Sequence, residues 1–301
     1  MVAGAKVWYY GQWYPAVGNT GDPPLGFVPI TFQPSVNTST SALVTVNCTT
    51  AATAHTPGAW VQVTSFFPAN VDGLRVSVAP HASNGVDTSL LLDVGVGGSG
   101  SEVTVAENIL VGYAAPDGGP HAPAFIDLPV SIAAGQRLAM RVRGAQTSAS
   151  KSFHLSALQC SRPTPTSLVT FGANTSTSSG VVLTAPANVN VKSAWTEITA
   201  STPVDLMAVQ LLVTLGPGNT NIANNVNRLF DLGIGSPGSE QVIVSNVHGA
   251  TTNSEGSRWI PSAWYVADFP AGIRLAVRYQ ASSVASDAGT MAAVVIGVPY
   301  P

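Results

Sequence analysis

Apolar and polar residues alternate with a period of two along much of this 301-residue chain; "LRVSV" from Leu74 and "LAMRVR" from Leu138 are clear cases. Such alternation turns one face to a core and the other to solvent, which is the signature of a half-buried β-strand. In the first half of the chain the pattern predicts strands over 42–47, 60–65, 74–79, 89–94, 102–105, 124–128, 137–143 and 152–158. Gly, Pro, Asn and Ser separate these runs. No segment of helix length keeps a helical period. The expected fold class is all-β, an antiparallel sandwich of about eight strands of the jelly-roll type. An immunoglobulin domain fits less well, because its Cys…Trp…Cys spacing is absent.

The pattern then repeats. "DVGVGGSGSE" from Asp93 returns as "DLGIGSPGSE" from Asp231, with Asp, three Gly, Ser and Glu in place. "AGQRLAMR" from Ala134 returns as "AGIRLAVR" from Ala271, and "NTSTS" from Asn37 returns from Asn174. "AW" at Trp60 returns at Trp195. Motifs in one order at a nearly constant offset mark two homologous units. Each is too long for a solenoid repeat and matches a whole sandwich. The expected organisation is an N-terminal arm over 1–33, a first sandwich over 34–161 and a second over 162–301. A Pro-containing linker, "SRPTPTS", lies at about 161–167.

Composition sharpens this. Hydrophobic residues make up 45% of the chain but charged residues only 9%, so an exposed helical surface is not expected. The formal net charge is -3, and only 12 Lys and Arg are present, scattered. No basic stripe could neutralise a run of phosphates, so nucleic acid is not an expected partner. No apolar run reaches the roughly 18 residues that a membrane-crossing helix needs, and no membrane insertion is expected. The N-terminus lacks a secretory apolar core. The reading is a soluble intracellular product, or one that leaves the cell without a signal peptide. Cys48 and Cys160 both fall at strands. A sandwich that sets its first and last strands side by side leaves a bridge open, but two reduced, half-buried thiols are favoured.

"GVGGSG", Gly95 to Gly100, fits the dinucleotide pattern G-x-G-x-x-G. That loop requires a helix after the glycines. Here a Val- and Thr-rich strand follows, and the second copy, "GIGSPG", is again followed by a strand. The glycines therefore read as the turn of a hairpin. Gly95 and Gly97, like Gly233 and Gly235, leave a strand face open to close packing by backbone or an aromatic ring. Positive φ is expected from Gly98 to Gly100, with Gly238 the counterpart of Gly100.

The recurring acids Asp93 and Glu102, with Asp231 and Glu240, flank this hairpin. A calcium site at Asp93/Glu102 and Asp231/Glu240 is one reading. The favoured one is bracing, by hydrogen bonds from loop amides or ion pairs with Arg137, Arg141, Arg274 and Arg278, because Ca²⁺ takes about six to eight oxygen ligands. No metal and no cofactor is expected. The five histidines are not spaced as ligands, and neither H-E-x-x-H nor G-x-S-x-G occurs. No catalytic residue is assigned, and the chain is not expected to be an enzyme.

The arm is dense in aromatics. "KVWYYGQWY" carries Trp8, Tyr9, Tyr10, Trp13 and Tyr14. Trp and Tyr favour interfaces, so the arm reads as an anchor or as a segment folded back over the first core. This opening, K-V-W-Y-x-G-Q-W-Y, then a Pro/Gly-rich stretch, then all-β units with repeated D-x-G-x-G-x-x-G-S-E and A-G-x-R-L-A-x-R, resembles virion structural proteins of tailed bacteriophages, of the tail, fibre and baseplate type. The resemblance implies attachment through Trp8 to Tyr14, peripheral sandwich modules and a homo-oligomer. It also implies other virion proteins as partners, and assembly into the virion in the host cytoplasm. Two alternatives remain open. One is a lectin-like module for host surface glycans, with Trp259, Trp264 and Tyr265 as stacking candidates. The other is a capsid decoration or head-fibre protein.

Overall fold

A computed structural model describes residues 6–9, 12–15, 33–34, 44–78, 89–112, 125–159, 164–217, 226–251, 259–283 and 291–301. Among these residues there is strand and turn but no helix. The strands up to the first sandwich's end are β1 (Lys6–Tyr9), β2 (Gln12–Pro15), β3 (Gln33–Pro34), β4 (Val44–Thr49), β5 (Val61–Thr64), β6 (Gly73–Val78), β7 (Ser89–Val96), β8 (Val103–Gly112), β9 (Phe125–Leu128), β10 (Leu138–Arg143) and β11 (Ser150–Gln159). The rest are β12 (Val169–Phe171), β13 (Val181–Val182), β14 (Thr196–Thr199), β15 (Leu206–Leu215), β16 (Val226–Ile234), β17 (Gln241–Thr251), β18 (Trp259–Pro261), β19 (Tyr265–Phe269), β20 (Leu275–Ala281) and β21 (Met291–Pro299).

The first sandwich pairs β4-β11-β6-β9 in one sheet and β5-β10-β7-β8 in the other. The second pairs β13-β21-β15-β19 and β14-β20-β16-β17. Counted within each unit, with the short β3, β12 and β18 set aside, both have strand orders 1-8-3-6 and 2-7-4-5. That is the jelly roll, in which two Greek keys close an antiparallel sandwich. β3 and β12 extend the first sheet of each unit in the same place, beside β11 and β21.

Sequence alternation places the strands within one or two residues, with one exception. β8 runs on to Gly112, beyond the expected end at 105. The polar pair Glu107–Asn108 reads as a break in sequence. In the structure it is a β-bulge, with Asn108 at φ 54 and a register shift between Leu92 and Val94 opposite. A bulge absorbs one residue and lets the strand continue. The second unit repeats it at Asn246, also φ 54.

β4 and β11, the first and last strands of their sandwich, do lie side by side. Cys48, however, faces Lys151 in that ladder. Gln159, the residue before Cys160, lies roughly 25 Å further along the strand at about 3.3 Å per residue. Cys48 is free and fully buried rather than half-buried, and burial pushes its thiol up to about 12. Cys160 lies outside the described residues.

The two sandwiches do not hang apart on a linker. Val105, Ala106, Ile109 and Leu110 of β8 share one apolar cluster with Ala208 and Leu212 of β15 and with Val294, Ile296 and Val298 of β21. The alternate residues of those strands, Val209, Leu211, Val213 and Val295, fill the second sandwich's own core. The β21-β15 sheet is thus buried on both faces, mostly by apolar side chains, with Gln210 and Thr214 the buried polar residues of β15. In the first sandwich Leu155 of β11 pairs with Val76, as Val295 of β21 pairs with Leu211. His154 and Ser156 therefore occupy the places of Val294 and Ile296. They sit beside Thr45, Asn47 and Ser77 on a face that remains polar and at least partly exposed. One fold thus carries two surfaces, and side-chain polarity tracks which of them is covered.

Leu212→Ala is expected to lower the unfolding free energy by about 2–5 kcal/mol, the cost of a buried leucine cavity. Because Leu212 serves the shared cluster, denaturant unfolding should remain a single transition with a lower midpoint.

Candidate functional site

The hairpins joining β7 to β8 and β16 to β17 carry the recurring glycines and acids. Gly97 and Gly100 stand at φ 112 and 83, and Gly235 and Gly238 at φ 110 and 84, a region that glycine enters without steric cost. The left-handed glycines are therefore Gly97 and Gly100; Gly98 is not one of them.

Each hairpin is closed by its glutamate. Glu102 Oε2 accepts the Gly100 N–H at 3.0 Å, and Oε1 accepts Arg137 Nη1 at 2.7 Å. Glu240 Oε2 accepts the Gly238 N–H at 2.9 Å, and Oε1 accepts Arg274 Nη1 at 2.9 Å. The arginines reach onward, Arg137 Nε to Gln62 at 3.1 Å and Arg274 Nε to Glu197 at 2.7 Å. The hydrogen bond from Arg137 is the largest influence on Glu102 and holds its carboxyl below the usual glutamate value. Burial pushes Glu240 up, but its own N–H, Arg274 and the Gly238 N–H together outweigh it, so it too is lowered.

The aspartates lie one step deeper. Asp93 Oδ2 accepts Arg141 Nε at 2.8 Å and Oδ1 accepts the N–H of the bulge residue Asn108 at 2.8 Å. Asp231 Oδ2 accepts Arg278 Nε at 3.0 Å and Oδ1 accepts the Asn246 N–H at 2.9 Å. A second cation attends each, but from different places. Lys192 Nζ reaches Asp231 at 2.7 Å, whereas Arg143 on β10 stands 3.8 Å from Asp93. Arg141 lies 4.4 Å above the Trp60 ring, and Arg278 4.4 Å above Trp195. The tryptophans lie in turn against glycine: a Cβ on Gly95 would fall 2.8 Å from Trp60, and one on Gly233 2.7 Å from Trp195. Each unit thus carries a stack of glycine, tryptophan, arginine and aspartate on the outside of one sheet.

In chemical terms these ensembles are braces. The four carboxylates each take a backbone N–H and a guanidinium. Neither aspartate shares a donor with its glutamate. Among the described residues no group of three or more His, Cys, Asp or Glu could hold a metal ion. The donor sets do not fit calcium, because guanidinium nitrogens occupy the carboxylate oxygens a cation would need. An open cleft of about 560 Å³ borders the second hairpin, lined by Ile234, Gly235, Pro237, Gln241, Ile273 and Arg274. Its one charged side chain is the arginine already held by Glu197 and Glu240.

The aromatic candidates divide. β1 and β2 form a two-stranded hairpin of their own, with Trp8 opposite Trp13 and Val7 opposite Tyr14. Tyr10 lies outside the described residues. Trp259 opens β18, opposite Thr214. Trp264 Nε1 donates to the Asp127 carbonyl at 2.9 Å, and its ring packs on the shared cluster. Tyr265 packs on the second core, 5.9 Å from the Phe269 ring. Trp264 is therefore a clasp between sandwiches rather than a free platform for a sugar. His55 makes a second contact across the junction, its Nδ1 lying 3.1 Å from Ser178 Oγ. Sequence reasoning missed this junction set, because nothing in the sequence shows which residues meet across the two sandwiches. It also missed Gln62, Glu197 and Lys192 as partners of the repeated ions.

No protein-family profile matches the chain, and no curated protein matches it. Solved structures do. PNGase F, a glycosylasparaginase from Flavobacterium meningosepticum, is 11% identical, with 85% of this chain and 96% of that one covered at a TM-score of 0.35. The STIV MCP is 10% identical over 86% of this chain and 96% of its own, at a TM-score of 0.34. The VP2 subviral particle of infectious bursal disease virus is 11% identical over 94% and 75%, at a TM-score of 0.26. The neighbours thus include both viral capsid proteins and an enzyme, and at these scores they assign no activity to this chain.

Gly95→Ala and Gly233→Ala are each expected to destabilise by about 1–3 kcal/mol through overpacking and to alter tryptophan fluorescence. The glutamates add a pH dependence. Their folded values lie below the ordinary 4.5, so their stabilisation is complete above that value and is lost as pH falls through the folded one. Replacing Glu102 and Glu240 together by Gln should flatten the acid limb of a stability-against-pH curve and leave its neutral shape unchanged.

Proposed function

We propose that the chain is a non-enzymatic structural protein of a tailed-phage virion, a peripheral tail, fibre or baseplate component held by its N-terminal arm. The observation that carries this reading is a division of labour along the chain. In the body, recurring charges are bound to one another and the sandwiches are fused through an apolar face. In the arm, the residues before β3 have no counterpart in the second unit, and their aromatic hairpin forms a separate sheet. A braced body with an aromatic extension suits a part that must be rigid and be attached at one end. Its low charge and its many Ser, Thr and Asn suit a durable surface.

Deleting residues 1–33 is expected to leave a folded body, with an unchanged circular dichroism spectrum and cooperative melting, and to abolish incorporation into particles. Normal incorporation of the truncated chain would contradict the attachment role. Tail against head placement is read in the same experiment, from the fraction in which the full chain is recovered.

A further inference from the structure

The outer face of the β4-β11-β6-β9 sheet corresponds to the face of β21 and β15 that the first sandwich covers. Here it is open. Thr45 is exposed, Phe125 is 41% exposed, and His154, Ser77 and Arg75 are partly so. The strand register sets two rows on it. Thr45, His154, Ser77 and Phe125 lie side by side across all four strands, and Ser156, Arg75 and Asp127 lie next to them across three. At about 4.8 Å between strands the longer row spans roughly 14 Å.

Bonds between strands hold these groups in place. Thr45 Oγ1 stands 3.1 Å from His154 Nδ1, so Nε2 is the ring nitrogen a ligand would meet. Asp127 takes Arg75 with both oxygens, at 2.7 and 2.8 Å, and the guanidinium carbon lies 4.1 Å from the Phe125 ring centroid. The Asp127 carbonyl accepts the Trp264 indole, which ties this end of the face to the junction. The chemistry then selects the partner. Arg75 and Asp127 neutralise each other, and the described residues of these four strands place no other Asp, Glu, Lys or Arg on the face. A polyanion finds no row of cations there. A protein interface finds no apolar centre, since Phe125 is the one large exposed apolar side chain among the described residues of this sheet. What remains is a line of hydroxyl, imidazole and carboxylate groups beside a flat ring. Hydroxyls both donate and accept, as the hydroxyls of a sugar do, and the C–H side of a sugar matches the apolar face of an aromatic ring.

We propose that this face binds a neutral carbohydrate chain, laid along the row from Thr45 to Phe125. One sugar ring stacks on Phe125, and its hydroxyls bond to Asp127, Ser77 and His154. The groups are already fixed by their neighbours, so binding orders few side chains. The stacking ring is thus on the first sandwich, whereas Trp264, which sequence reasoning offered for that role, closes the junction. The proposal does not rest on the attachment role of the arm.

The test presents the full chain to an array of neutral oligosaccharides of hexose and N-acetylhexosamine units, with sialylated and uronic-acid oligosaccharides beside them. The best binder is then titrated in solution by calorimetry. The chain should bind a neutral oligosaccharide. Phe125→Ala and His154→Ala should each weaken that binding about tenfold while keeping the wild-type melting curve. Phe66→Ala, an exposed ring elsewhere on the first sandwich, should leave it unchanged. If one of the two site variants fails to fold, the other decides alone. Binding to none of the neutral probes, binding to acidic probes alone, or binding that survives both site variants would overturn the proposal. So would binding lost in Trp259→Ala but kept in Phe125→Ala. Incorporation into particles is a separate readout, so failure here is distinguishable from failure of the attachment role.

Discussion

The packing of β8 against the outer face of β15 and β21 is the contact on which the rest of the molecule depends. Each sandwich closes its own interior. What makes one body of two is a sheet buried by largely apolar side chains on both sides, one face in the second core and the other under β8. Burying side chains the size of Leu212, Val294, Ile296 and Val298 contributes roughly 1.5–3 kcal/mol each, against a net stability that is ordinarily about 5–15 kcal/mol for a whole domain. The junction is then locked by bonds with little freedom in them: the Leu168 N–H on Val105, the Trp264 indole on Asp127, and His55 beside Ser178.

Duplication makes this contact readable as chemistry. The two units share strand order, bulge position, hairpin φ angles and the glycine–tryptophan–arginine–aspartate stack. They differ where their surroundings differ. His154 and Ser156 face outward where Val294 and Ile296 face the neighbour. The second cation on the aspartate also changes place, from β10 in the first unit to the loop before β14 in the second. Position 143 holds Arg where its counterpart holds Gln280, while Lys192 stands where the first unit has Pro57. The charge around the buried aspartate is kept although its source has moved, as expected where a carboxylate buried in a sheet must remain compensated.

Much of the fold was legible because it is local. Period-two alternation located the strands, and the recurring motifs exposed the duplication. The Val- and Thr-rich segments after the glycines distinguished a hairpin from a nucleotide loop. The bulge at Asn108 was not legible, since Glu107–Asn108 looks like a turn until a partner strand carries the chain across it. The junction was not legible either. An apolar residue on a second face, such as Leu212 or Val294, looks the same in sequence whether a neighbouring sandwich, another chain or nothing covers it. Trp264 shows the same ambiguity. Its ring and donor would suit a sugar, and only the position of Asp127 reveals that it joins the two halves.

Native-state amide hydrogen exchange tests the fusion most directly, because it reports the opening free energy of each strand separately. If the shared sheet binds the two sandwiches into one cooperative unit, amides of β7 and β10 in the first should exchange at the same limiting free energy as those of β15 and β21 in the second. The two sets should also fall together as denaturant is added. A second sandwich that opened at a distinctly lower free energy, while β7 and β10 kept full protection, would contradict the account.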